Sequence, residues 1–258
     1  MLEVQSLTKK YGNNYAIQDI SFSAERGEIL GLVGHNGCGK STTLKIIAGY
    51  LMADQGRIMI NGVNCTENPE YGKQQIGYLP ETPALYLELT VDEQLNFAAG
   101  LRGIKNRKDA IKKACKIAGI EAVRKRLIRN LSKGYKQRVG LAQAFLGNPS
   151  VVILDEPSNG LDPLQMSEMR SIIQGESESH VILMSSHVLT EVERLCDRLL
   201  IMNQGKVSAY GTLEELTGRK NLPNSSYLED YLISIAKIHD VRNEEKNENG
   251  VQKGNDSI

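Results

Sequence analysis

No apolar run in this chain approaches the roughly 20 residues needed to cross a bilayer, so the sequence offers no membrane span. Its first residues, Met1-Leu2-Glu3-Val4-Gln5, lack a signal-peptide pattern. The protein is expected to be soluble alone, and any work at a membrane would need another chain to supply the spanning helices. Net charge is missing too: 31 Lys and Arg balance 31 Asp and Glu, and no sustained basic stripe stands out. Nucleic-acid binding is therefore not expected. The four cysteines, Cys38, Cys65, Cys115 and Cys196, contain no CxxC pair. That argues against a disulfide framework or zinc site and for a reduced, cytoplasmic protein. No internal repeat is visible. The 258 residues suffice for one or two domains with a full core.

What the sequence does hold is a phosphate-binding loop. Gly34-His35-Asn36-Gly37-Cys38-Gly39-Lys40-Ser41-Thr42 fits the P-loop spacing. The apolar, β-prone Glu28 to Val33 precedes it, and Thr43 to Ala48, with helical spacing, follows. Glycines let the backbone curl so that successive N–H groups face phosphate oxygens, and the helix adds its positive end. In this arrangement Lys40 would bridge the β and γ phosphates, Ser41 would hold Mg²⁺ and Thr42 would face the α phosphate. Cys38 reads as a small tolerated loop residue rather than an oxidation-sensitive thiol. The chain is expected to bind a nucleoside triphosphate.

Around this loop the pattern alternates between strands and helices. Leu2 to Gln5 and Ala16 to Ala24 alternate as strands, with a turn at Tyr11 to Asn14. Gly56 to Gly62 is a further strand with a turn, and Ile76 to Leu79 ends at Pro80. Thr90 and Glu93 form a capping box opening a charge-rich helical block that runs to about Asn130. Val151 to Leu154 and Val181 to Met184 are continuous apolar runs, as in parallel strands buried on both faces. Asp162-Pro163 opens the helix between them. Leu199 to Met202, Asn203-Gln204-Gly205 and Lys206 to Ala209 suggest a hairpin, and Thr212 to Leu216 a short capped helix.

Three further groups carry chemistry. Asp155-Glu156 closes a buried strand at the ligand-binding edge of an α/β sheet. Asp155 is placed to support Mg²⁺, and Glu156 to orient the attacking water. His187 follows Ser185-Ser186 at the next strand end, where its imidazole could bond a γ phosphate. Leu131 to Gln137 precedes a helical run, with Ser132 and Gly134 at its amino end. These two could form a second anion site, although an ordinary capped helix explains them locally as well.

Together these pieces resemble the nucleotide-binding subunit of an ATP-binding cassette (ABC) transporter over residues 1–235. Residues 34–42 resemble Walker A, 131–137 the family signature, 151–156 Walker B, 158–162 the D-loop, and His187 the switch histidine. The resemblance implies an α/β fold, a P-loop NTPase core with an N-terminal antiparallel β subdomain and an inserted α-helical subdomain. It implies one domain over 1–235, with 1–84 and 150–218 as core and 85–149 as the helical, signature-bearing part. Residues 236–258 are expected to be a polar, disordered tail. Tyr227 to Leu232 resembles the short closing helix of such subunits.

The resemblance also implies the assembly. Two cassettes would meet head to tail as an ATP-dependent homodimer. Each ATP would be held by Walker A of one chain and by Ser132 and Gly134 of the other, with Asp162 at the interface. Tyr11 would stack on adenine with Ala16 beside it. The loop from residue 81 would pass motion to an integral-membrane permease, placing the subunit at the inner face of the cell membrane. Glu81 stands where the family has a metal-contacting glutamine, and Lys133 and Tyr135 replace the usual signature glycine and glutamine. The 77–81, 132–135 and 158–162 segments look like the ABC-2 type branch, commonly exporters. The alternatives are a soluble ABC ATPase of another class or a low-turnover nucleotide-dependent regulator.

Overall fold

The structure, a computed structural model, describes residues 1–218 and Leu228. The chain opens with the antiparallel hairpin β1 (Leu2–Tyr11) and β2 (Asn14–Ala24). β1 runs well past the alternating stretch ending at Gln5. Its register shifts between Val4 and Leu7, where Ser6 has φ 50°, and that irregularity breaks the period-2 pattern a sequence reader follows. β3 (Ile29–Val33) is buried throughout and leads through the phosphate loop into α1 (Lys40–Ile47). β4 (Gln55–Ile60) and β5 (Val63–Asn64) complete a four-stranded sheet in the order β2-β1-β4-β5.

The remaining elements build the second layer. α2 (Pro69–Gln75), which the sequence reading missed, leads into β6 (Ile76–Leu79). α3 (Val91–Leu101), α4 (Arg107–Ala118) and α5 (Lys133–Phe145) follow. The Thr90–Glu93 capping box opens α3, as expected. Buried residues from Val91 to Leu146 form a core of their own between these three helices. Then come β7 (Val151–Asp155), α6 (Pro163–Ser177), β8 (Val181–Ser185), α7 (Leu189–Leu195), β9 (Arg198–Asn203), β10 (Lys206–Gly211) and α8 (Leu213–Thr217). α7 was also unanticipated. Asp162 caps α6 with Pro163 in its first turn, and Thr212 caps α8. At the β9–β10 turn Gln204 and Gly205 both have positive φ, as a two-residue I′ turn needs.

β3, β6, β7, β8 and β9 are parallel, in the sheet order β10-β9-β3-β8-β7-β6, with β10 antiparallel on the edge. β8 thus lies between β3 and β7. Ser185 is level with Leu32 on one side and Asp155 on the other. The loops leaving β3, β7 and β8 therefore emerge side by side, where open α/β sheets bind ligands. One core lies between the two sheets around α1. Another packs α5 and α6 on the opposite face of the parallel sheet. Of the closing segment 227–232, Leu228 is buried against α7 and β9, and the other residues lie outside those described, as does the 236–258 tail.

Candidate functional site

The loop after β3 is closed around its own lysine. Lys40 Nζ donates to the carbonyls of Gly34 at 2.7 Å and His35 at 3.2 Å, and the side chain is buried. Gly37 and Gly39 take φ of 81° and 108°, conformations that side chains rarely adopt. A Cβ on Gly39 would stand 2.6 Å from Ile17 Cγ2 and 2.8 Å from the Ala16 carbonyl oxygen. Gly39 precedes α1 with no side-chain cap, so the first N–H groups of that helix stay available to an anion. Thr43 Oγ1 donates back to the Gly39 carbonyl at 2.9 Å, Ser41 is exposed and Thr42 half-buried.

The β9–β10 turn braces the loop from behind. Gly205 N–H donates to the Cys38 carbonyl at 3.0 Å, and a His35 ring nitrogen meets Asn203 Oδ1 at 3.1 Å. Asn36 is tied in as well, its carbonyl 2.7 Å from the other His35 ring nitrogen. Cys38 is fully buried, and burial pushes its thiol pKa up against the opposing pull of Lys40. Cys38 is thus packed inside the loop rather than displayed on it.

The acidic edge lies alongside. Asp155, 4 % exposed, accepts hydrogen bonds at Oδ1 from Ser185 Oγ at 2.7 Å and from Ser41 Oγ at 3.2 Å. Tyr78 OH approaches Oδ2 at 3.5 Å, and burial together with the Asp155 charge drives the phenol pKa upward. Glu156, with φ 52°, turns off the end of β7, and its N–H donates to Ser185 Oγ at 3.0 Å and to the Ser185 carbonyl at 3.2 Å. His187 comes to Glu156 from β8. Its backbone N–H donates to Oε2 at 3.2 Å and Nδ1 lies 2.7 Å from the same oxygen. A carboxylate only accepts, so Nδ1 carries the proton and Nε2 is left as the other face of the ring.

Lys40, Ser41, Asp155, Glu156 and His187 are thus gathered on three adjoining strand ends. Other sequence-derived candidates stand apart, with no hydrogen bond, ion pair or ring contact joining them to this cluster among the described residues. Tyr11 is 56 % exposed at the end of β1, with Lys9 Nζ 5.8 Å from its ring centre. Glu81 Oε1 accepts from Asn159 Nδ2 at 2.7 Å. Ser132 caps α5 by accepting from Tyr135 N at 3.3 Å, and a Cβ on the buried Gly134 would stand 2.5 Å from Gln165 Oε1. Sequence reasoning missed Ser185, Tyr78, Asn203 and Gly205. Ser185 had a signal, a hydroxyl ending an otherwise apolar strand; Asn203 and Gly205 had none beyond their turn, because only the sheet order brings it to the phosphate loop.

The chain resembles known proteins along most of its length. A family described as ABC transporter matches residues 17–159. The bacitracin transport ATP-binding protein BcrA of Bacillus licheniformis is 36 % identical, over 89 % of this chain and 74 % of that protein. The ABC-type transporter ATP-binding protein EcsA of Bacillus subtilis is 37 % identical, over 92 % of this chain and 97 % of its own. A solved structure of an ATP-binding subunit of an ABC transporter superposes with a TM-score of 0.81 and 34 % identity, covering 92 % of this chain and 99 % of that one. The strand-end cluster, the glycine loop closed on Lys40 and these likenesses agree: the chain belongs to the ABC transporter family, as one of its ATP-binding subunits.

Proposed function

We propose that this ATPase subunit binds Mg·ATP on the Lys40 loop and hydrolyses it at Glu156, driving a separate membrane permease. The observation that carries the reading is the meeting of Ser41, Asp155, Glu156 and His187 at the ends of β7, β8 and α1, linked by hydrogen bonds of 2.7–3.2 Å. Lys40 would exchange its two carbonyl partners for phosphate oxygens, gaining charge-assisted bonds. Glu156 would orient the attacking water in line with the γ phosphorus, and His187 Nε2 would donate to the γ phosphate when protonated.

The donors beside Lys40 fit Mg²⁺. Asp155 and Ser41 present hard oxygens, the Ser41 hydroxyl being exposed and shared with Oδ1. Among the described residues no three His, Cys, Asp or Glu side chains gather to hold a metal, so the ion would rely on the nucleotide's own phosphates. When bound, the ion offsets charge on the transferring phosphoryl group. Glu81 is carried to this site by family likeness, and its bond to Asn159 ties it to the 158–162 loop.

Ser132 and Gly134 are proposed to contact the γ phosphate on a partner subunit, Asp162 to lie at that interface, and Tyr11 and Ala16 to face adenine. Residues 85–149 would serve as the helical unit within a 1–235 domain. Two adjoining cavities of ≈ 330 and ≈ 390 Å³, lined in part by Tyr50, Tyr78, Tyr86, Phe97 and Leu101, suit a cytoplasmic segment of the permease. Among the described residues no helix is long and apolar enough to cross a membrane, so attachment at the inner face would run through that permease. Likeness to a bacitracin transport protein supports a transport role, and the ABC-2 type motifs favour export.

The test is Glu156→Gln. It should abolish Mg²⁺-dependent hydrolysis, keep ATP affinity within a few fold, and accumulate an ATP-bound dimer on size-exclusion chromatography. Hydrolysis persisting at the unaltered rate in the variant would overturn the assignment of Glu156.

A further inference from the structure

Glu191 on α7 is 1 % exposed, and its Oε1 has no hydrogen-bond partner among the described residues. Leaving a carboxylate oxygen buried and unpaired costs folding free energy that an apolar side chain of similar volume would not. Along the same helix Val192 is buried with Val33, Leu199 and Ile201 of β3 and β9, and Leu195 is buried in the neighbouring core. Its other oxygen, Oε2, accepts from Ser186 Oγ at 3.1 Å, and Ser186 is itself buried. Ser186 Oγ in turn accepts from the Val188 N–H at 3.0 Å.

A carboxylate can only accept, so the Ser186 hydroxyl proton must point at Glu191 and its lone pairs at Val188. The polarity of the chain Val188 N–H to Ser186 to Glu191 is therefore fixed. His187 sits inside that turn, and its backbone N–H and Nδ1 both bond Glu156 Oε2. We propose that Glu191 is a positioning residue for ATP hydrolysis, holding the 186–188 turn so that His187 faces Glu156 and the γ phosphate. This rests on the roles proposed above for Glu156 and His187.

Two variants separate positioning from stability. Glu191→Gln keeps an acceptor oxygen for Ser186; Glu191→Met fills the site with an apolar chain and removes the acceptor. Glu191→Met should lower kcat on the order of 10–100-fold, the size of effect a small misplacement causes, with KM for ATP within about twofold by the same reasoning. Its melting temperature should match or exceed that of the unaltered protein, and Glu191→Gln should keep most of the turnover. A second readout does not depend on hydrolysis. The chain has four histidines, so ¹⁵N-labelled imidazole spectra of the nucleotide-free subunit can be assigned to His187. The Nδ1–H resonance bonded to Glu156 should move in Glu191→Met and stay in place in Glu191→Gln. An unmoved resonance with unaltered kcat, or equal loss in both variants with lowered melting temperatures, would overturn the proposal. A moved resonance with turnover indifferent to Glu156→Gln would instead count against the hydrolytic roles and leave the positioning contact standing.

Discussion

Ser185→Ala is the sharpest probe of how the site is held. Ser185 is fully buried and level with Asp155 across β7 and β8. Its hydroxyl donates to Asp155 Oδ1 at 2.7 Å while accepting from the Glu156 N–H at 3.0 Å, so a single oxygen ties both acidic residues to β8. Glu156 keeps the Ser185 backbone carbonyl at 3.2 Å after the change, so its N–H is not orphaned. Asp155 loses more: Tyr78 at 3.5 Å is a weak partner, and Ser41 at 3.2 Å is the hydroxyl proposed to turn to the metal. A hydrogen bond to a buried charge contributes about 1.5–3 kcal/mol, so Ser185→Ala should cost about 2 kcal/mol of stability. For a domain of this size that lowers the melting temperature by roughly 4–8 °C. Turnover should fall at least about tenfold, equivalent to about 1.4 kcal/mol of transition-state stabilisation, because Asp155 and Glu156 both lose an anchor. Thermal unfolding of the nucleotide-free subunit and steady-state hydrolysis across a Mg²⁺ titration measure the two effects. A melting temperature within 1–2 °C of the unaltered protein would show that the Ser185–Asp155 bond is not worth a charged hydrogen bond, and the account of this edge would fail.

Two other perturbations follow from the same geometry. Lys40→Ala should weaken ATP binding about 100-fold, the loss of about 3 kcal/mol of charge-assisted contact, read by isothermal titration; affinity unchanged would remove Lys40 from the phosphate site. Acid should weaken the fold in part through three surface carboxylates held below their ordinary pKa. Asp54 is lowered first by the Lys9 ammonium, then by the Lys10 N–H; Glu93 and Glu215 are lowered by the cap N–H and hydroxyl of Thr90 and Thr212. Their folded pKa values lie below 3.8 and 4.5, so the stability they add is complete above those values and disappears as pH falls through the lower, folded ones. Melting temperatures between pH 6 and 3 should show this fall, and Glu93→Gln, which removes the titrating carboxyl, should make it shallower; an identical acid limb in that variant would exclude Glu93 as a contributor.

The residues legible in the sequence were those whose chemistry is local. The phosphate loop shows itself because glycine spacing, lysine and flanking elements are contiguous, and the Thr90–Glu93 box because a cap needs only four residues. Buried parallel strands such as β7 and β8 show as unbroken apolar runs. What stayed hidden depends on distance. The brace from Asn203 and Gly205 exists because β9 pairs with β3 in parallel, an arrangement that no local pattern encodes. α2 was missed because Pro69 to Gln75 buries only Gly72, so it carries no apolar stripe to read. α7 hid for another reason: its first turn buries the charged Glu191, which pattern reading assigns to solvent.

The pairing of Asp155 with Glu156 poses a geometric problem that a motif does not reveal. In a strand, successive side chains point to opposite faces, so two neighbouring carboxylates cannot both serve one nucleotide while the strand continues. The chain solves this by ending β7 at Asp155 and placing Glu156 at φ 52°, a left-handed conformation costing about 1–2 kcal/mol for a residue with a side chain. Such strain persists only where the surroundings over-determine it. Here the Glu156 N–H has two acceptors on Ser185, its carbonyl accepts from the Asn159 N–H at 3.1 Å, and its carboxylate takes two donors from His187. The strained residue is thus the proposed catalytic one, and its restraints come from β8 and the 158–162 loop.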